Sequence, residues 1–86
     1  MGKRKRDKDL DGFEKIQQNL GSVIREERKR SRLTQEDLSK KTGLTRECIC
    51  MYETGKRMHS IATLEKISLG LGLKLSELFR RVEKRK

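Results

Sequence analysis

At 86 residues, 31% of them hydrophobic, the chain has room for one domain with little more than a minimal core. No apolar run approaches the ~18 residues of a membrane span, and no apolar stretch marks a secretory signal. The expected product is therefore cytoplasmic, with no membrane partner. The formal net charge is +10, and its placement matters more than its size. The ends Met1–Lys8 and Arg80–Lys86 each hold five basic residues against one acidic, while 13 basic and 11 acidic residues nearly balance between them. Such ends suit a polyanion, and nucleic acid is the common one.

The first element is a basic arm, residues 1–11, carrying Lys3, Arg4, Lys5 and Arg6. It lacks apolar periodicity and is expected to be disordered without a partner. Helical spacing begins with Phe13, Ile16, Leu20 and Val23 or Ile24. Asp11 followed by Glu14 matches a capping box, which predicts a first helix starting near Gly12 and ending near Ser31. A start at Asn19 is the alternative, because Gly21 weakens the middle. A second helix is expected from Gln35 to Thr42, capped by Thr34 with Asp37 three residues on, and ended by Gly43. Thr45 caps a third, from Arg46 to about Thr54, which closes at Gly55. After a loop to His59, Ser60 caps a fourth helix with Ile61, Leu64, Ile67 and Leu71 on one stripe, broken by Gly70 and Gly72. A fifth begins at Leu75 or Ser76 and carries Leu78, Phe79 and Val82 before dissolving into a basic tail, residues 81–86. No strand signal interrupts these segments. The fold class is all-α, a compact five-helix bundle over residues 12–80 flanked by basic tails.

The second and third helices are short, joined by a tight turn at Gly43, and carry Leu38, Leu44, Ile49 and Tyr52 where a shared inner face needs them. This is the helix-turn-helix pattern, whose second helix enters the major groove of double-stranded DNA. On a helical wheel from Thr45, Ile49 and Tyr52 face the core, which leaves Arg46, Glu47, Cys50 and Met51 facing outward. Arg46 suits a forked contact to guanine, Glu47 the amino group of cytosine, and Met51 a thymine methyl. The start of the second helix, with the Thr34 hydroxyl and Gln35, suits a phosphate.

From about Leu20 to Phe79 the chain resembles the Xre family, the Cro and phage-repressor type of helix-turn-helix regulator. The resemblance rests on Leu20-Gly21-x-x-Ile24-Arg25-x-x-Arg28, Leu33-Thr34-Gln35-Glu36-x-Leu38, Gly43-Leu44-Thr45, Ile49 and Glu53-x-Gly55-Lys56-Arg57. Ser60-Ile61-x-Thr63-Leu64-x-x-Ile67 and Leu71-Gly72-Leu73-x-Leu75-Ser76-Glu77-Leu78-Phe79 complete it. It implies base contacts from Arg46, Glu47 and Met51 with Cys50 adjacent. It adds Thr45, Lys56 and Arg57 as phosphate contacts and a structural ion pair between Arg28 and Glu53. Lys3, Arg4, Lys5 and Arg6 would form a DNA arm, as in some repressors. The chain departs from many relatives at His59, where they carry proline, at Ser39, where they carry alanine, and at Lys74, where they carry a capping serine. The last loss should cost about 1 kcal/mol locally.

One domain of this size reads only a few base pairs, so a homodimer on a palindromic operator is expected. Leu69, Leu75, Phe79 and Val82 exceed what one small bundle can bury and are the candidates for its interface, the alternative being that they complete the monomer core. The stand-alone size is similar to restriction–modification controllers and small phage repressors, and a repressor is the function expected. Two other readings stay open: an antitoxin-type regulator whose main partner is a protein, and a non-specific nucleic-acid binder driven by the tails. The scarcity of aromatics (Phe13, Tyr52 and Phe79) argues against stacking on single strands. His59 stands alone in a loop and Ser60 is a cap, so no catalytic constellation is present and neither cofactor nor metal is expected. Cys48 and Cys50 point roughly 200° apart on a helix and can grip no metal together.

Overall fold

The computed structural model describes the backbone of residues 2–56 and 60–85, and within these the side chains from residue 15 onward. Five α-helices follow one another: α1 Gly2–Arg30, α2 Gln35–Thr42, α3 Arg46–Glu53, α4 Ile61–Gly70 and α5 Leu75–Lys84. The start of α1 at Gly2 differs from the expected starts at Gly12 or Asn19, and it draws the segment expected to be a disordered arm into the helix. From Lys3 to Asp11 the sequence offers no proline and no β-branched residue. Lys, Arg and Leu are good helix formers, and extending a helix needs no new nucleus. No helix among the described residues is long and apolar enough to cross a membrane.

The caps were the most legible signals. At α2 the Thr34 hydroxyl accepts from the Asp37 N–H at 2.9 Å, while the Asp37 carboxylate accepts from the Thr34 N–H at 2.9 Å. The box closes fully, and Gly43 ends α2 at φ +77° with its N–H on the Ser39 carbonyl. Thr45 caps α3 through the Cys48 N–H, and Ser60 caps α4 through the Thr63 N–H. At α5 lysine offers no acceptor, so only the reciprocal half of a box exists: the Lys74 N–H donates to Glu77 at 3.0 Å. Ser39, in place of the usual alanine, does more than fit. Its hydroxyl donates to the Leu44 carbonyl and ties α2 to the turn.

The core runs through every helix: Leu20, Val23 and Ile24 of α1, Leu38 of α2, Ile49 and Tyr52 of α3, Leu64 and Ile67 of α4, then Leu71, Leu78 and Val82. Helix α1 is the spine, packed against α3 on one side and α5 on the other, while α2 packs on α3 and α4. Two members of the expected apolar stripes lie outside the core, Ile16 at 59% exposed and Ile61 at 64%. Val82, expected at a dimer interface, is 7% exposed within the monomer core. It stands one turn beyond Leu78 on the inner face of α5, which two ion pairs hold against α1. Arg81 reaches Glu27 at 3.3 Å and Arg85 reaches Glu26 at 2.6 Å. The basic tail expected from residue 81 is thus helical to Lys84, with part of its charge neutralised on α1.

Gly21 does not merely weaken α1. A methyl group there would lie 2.4 Å from the Tyr52 carbonyl oxygen and 2.7 Å from that of Glu53, both rigid backbone atoms. Alanine is normally the better helix residue by about 1 kcal/mol, but here the overpacking term of about 1–3 kcal/mol outweighs it. Gly21→Ala should lower stability, read as a fall in the urea midpoint. An unchanged or raised midpoint would contradict so close an approach of α1 to the end of α3.

Candidate nucleic-acid interface

The N-terminal ends of α2 and α3 come together at the surface. Thr34 and Gln35 of α2 and Arg46 of α3 line one shallow groove, with Arg28, Leu33 and Glu36. One expected base residue, Arg46, and two expected phosphate residues, Thr34 and Gln35, therefore share a single groove. On α3, Arg46, Glu47 and Cys50 are exposed and Met51 is half-buried, while Ile49 and Tyr52 face inward. Neither Arg46 nor Glu47 takes part in an ion pair among the described residues, so both side chains are available for a ligand. Cys48 packs half-buried against the core on the opposite face from Cys50. Among the described residues no group of acidic, cysteine or histidine side chains is placed to hold a metal.

The hydroxyl oxygens of Thr34 and Thr45 accept backbone N–H groups as caps. Each hydroxyl keeps its own proton, and a hydroxyl that accepts from an amide can donate to a phosphate oxygen at the same time. The Asp37 carboxyl is held below its ordinary range, first by the Thr34 backbone N–H and then by the Thr34 side chain. A lowered acid keeps its stabilising effect above its unfolded value and loses it as pH falls through the folded one. The Asp37 half of the α2 capping box is therefore complete at neutral pH and is lost only in acid, while the Thr34 hydroxyl half does not titrate.

Behind this surface lies a buried polar cluster. Arg28 donates from Nε to Glu53 at 2.7 Å and from Nη2 at 3.1 Å, and its Nη1 donates to the Leu33 carbonyl at 2.8 Å. The Glu53 side chain is only 2% exposed and that of Arg28 10%. Gln35 also donates to Glu53, at 3.2 Å. Of the other phosphate candidates, Lys56 is exposed just past the end of α3. Arg57 lies outside the described residues, as do the side chains of Lys3, Arg4, Lys5 and Arg6. Leu69 is 67% exposed and lines a separate groove with Leu33, Lys41 and Lys66. Leu75 and Phe79 are half-buried, and Phe79 shares a groove with Ile16 and Asn19 of α1.

Sequence reasoning missed three features: the Gln35 bridge to Glu53, the close approach at Gly21, and a hydrogen bond from the Gln17 amide to the Gly55 carbonyl at 3.0 Å. Only the glycine left a signal, since a lone glycine inside a strong helical pattern marks either weakness or contact.

Comparison with known proteins gives this surface a context. A helix-turn-helix family model matches residues 24–78. The control protein C.MunI of a Mycoplasma species is 41% identical over 70 residues, covering 80% of this chain and 95% of that protein. Among solved structures, the restriction–modification controller C.AhdI of Aeromonas hydrophila superposes with a TM-score of 0.70 at 32% identity, over 72% of this chain and 94% of that one. The controller C.Esp1396I, seen as a tetramer in complex with its natural 35 base-pair operator, superposes with a TM-score of 0.76 at 32% identity, over 80% of this chain and 91% of that one.

Arg28→Met should cost about 3–5 kcal/mol in chemical denaturation, because it leaves the Glu53 carboxylate buried and unpaired. The double variant R28M/E53L removes both charges and should recover most of that loss. A single variant near wild-type stability would contradict the burial of this pair.

Proposed function

This chain belongs to the Xre-type helix-turn-helix family, and on that premise we propose that it is a sequence-specific repressor that reads a palindromic operator as a homodimer. One observation carries the reading: Arg46 and Glu47 stand exposed on the first turn of α3, in no ion pair among the described residues, with Arg46 in one groove with the capped N-terminus of α2. Arg46 forks onto guanine, Glu47 accepts from cytosine, and Met51 packs on a thymine methyl, with Cys50 beside it. Thr34, Gln35 and Thr45 grip phosphates from the two helix starts, and Lys56 with Arg57 does so from the loop after α3. The Lys3–Arg6 segment adds an arm along the duplex. These backbone contacts set register and orientation, and the base contacts set sequence.

Two copies present two recognition helices about one DNA turn, ~34 Å, apart. Leu69, Leu75 and Phe79 leave apolar surface on α4 and α5 that a second copy would cover, and exposed Ile16 extends the groove beside Phe79. The likeness to C.Esp1396I, a tetramer on its operator, supports an oligomer on duplex DNA for this chain.

Selection of bound duplexes from a random library at moderate salt tests the proposal. The expected pool holds an inverted repeat with half-sites about 10–11 base pairs apart, centre to centre, and Arg46→Ala should relax one position by about 1–3 kcal/mol. A pool without a motif, retained only at low salt, would overturn sequence-specific reading.

A further inference from the structure

We infer that Gln17 is a positioning residue that aims Lys56 at the DNA backbone. The inference rests on the proposed reading, in which Lys56 grips a phosphate. The peptide unit joining Gly55 to Lys56 is held at both of its polar ends. Its carbonyl, on Gly55, accepts from the Gln17 amide of α1 at 3.0 Å. Its N–H, on Lys56, donates to the Met51 carbonyl of α3 at 3.0 Å. A planar peptide with both ends held has little freedom to rotate, so the Lys56 Cα is held in place and its side chain starts from one point beside the end of α3. Gly55 makes the arrangement possible. Its φ is +71°, and a methyl group there would stand 3.3 Å from the Cα of Gln18. The chain thus passes tightly against α1 at the point where Gln17 reaches it.

Gln17 lies on α1, away from the groove lined by Thr34, Gln35 and Arg46, and its amide is directed to the loop carbonyl. Its effect on DNA therefore passes through Lys56. A long lysine chain on an unfixed peptide explores many directions, and holding the peptide makes one phosphate contact more frequent. Such a contact has a signature that general stability lacks. Each phosphate neutralised contributes about 0.9 to the slope of log K against log salt.

The test uses the full chain and a duplex recovered by selection, with affinities measured across a salt series for wild type, Gln17→Met, Lys56→Ala and the double variant. Methionine removes the donor while keeping length, charge and helix propensity. Circular dichroism confirms that each variant is folded. The expected result is a slope flattened by up to about 0.9 in each single variant and no further flattening in the double, one phosphate contact being lost in all three. A wild-type slope in Gln17→Met, whatever its melting temperature, would overturn the inference while leaving the proposed function intact. So would flattening that adds fully in the double variant, or a wild-type slope in Lys56→Ala. Absence of salt-dependent duplex binding by the wild type would instead overturn the proposed function, and this inference with it.

Discussion

The arrangement of the proposed reading surface depends on a carboxylate buried at the end of α3. Glu53 is the last residue of that helix, and its side chain is 2% exposed. A carboxylate taken out of water costs several kcal/mol unless its oxygens are satisfied. Here Arg28 of α1 supplies two donors and Gln35 of α2 a third. One group therefore ties three helices together. Eight residues make a helix too short to persist alone in water, and α3 has that length. It holds its place because Ile49 and Tyr52 enter the core and Glu53 is clamped, so the ion pair specifies an angle more than it adds stability.

Helix α1 carries this constraint through the molecule. Along one face Gln17, Gly21 and Arg28 hold the C-terminal end of α3 and the loop beyond it. Glu26 and Glu27 hold α5 through Arg85 and Arg81. The proposed reading helix and the proposed pairing helix are thus both attached to one rod. In a twofold dimer, the spacing between recognition helices would then be set by how α5 meets its partner and how α1 carries α3. The exposed Arg85–Glu26 pair is weak, on the order of 0–1 kcal/mol, and with the more buried Arg81–Glu27 pair it orients α5 while Leu78 and Val82 anchor it.

Much of this was legible in the sequence because local chemistry wrote it. Caps at Thr34, Thr45 and Ser60 and the left-handed closures at Gly43 and Gly55 mark helix ends with groups a few residues apart. The order and spacing of these signals, more than any single motif, identified the fold. The Arg28–Glu53 pair was legible only through resemblance, since nothing local links residues 25 positions apart. Long-range packing was not legible. Gly21 looked like a flaw because its reason, the backbone of Tyr52 and Glu53, lies far along the chain. Composition gives the number of apolar residues but not which face of α5 turns inward, so it cannot separate Val82, buried beside Leu78, from the apolar residues left at the surface. The start of α1 lies upstream of the capping box at Asp11, where the sequence holds neither proline nor a β-branched residue to stop a helix already nucleated downstream.

An amide-shift titration of isotope-labelled protein with an operator-bearing duplex tests the central claim most directly, because it reports every backbone position at once. The largest shifts should fall on Thr34, Gln35, the first turns of α3 from Thr45 to Met51, and Lys56. The buried amides around Leu64 and Ile67 should stay nearly unchanged, as expected of a surface already built before DNA arrives. Shifts centred instead on α4 and α5, with the start of α3 unmoved, would contradict the assignment of α3 as the reading helix.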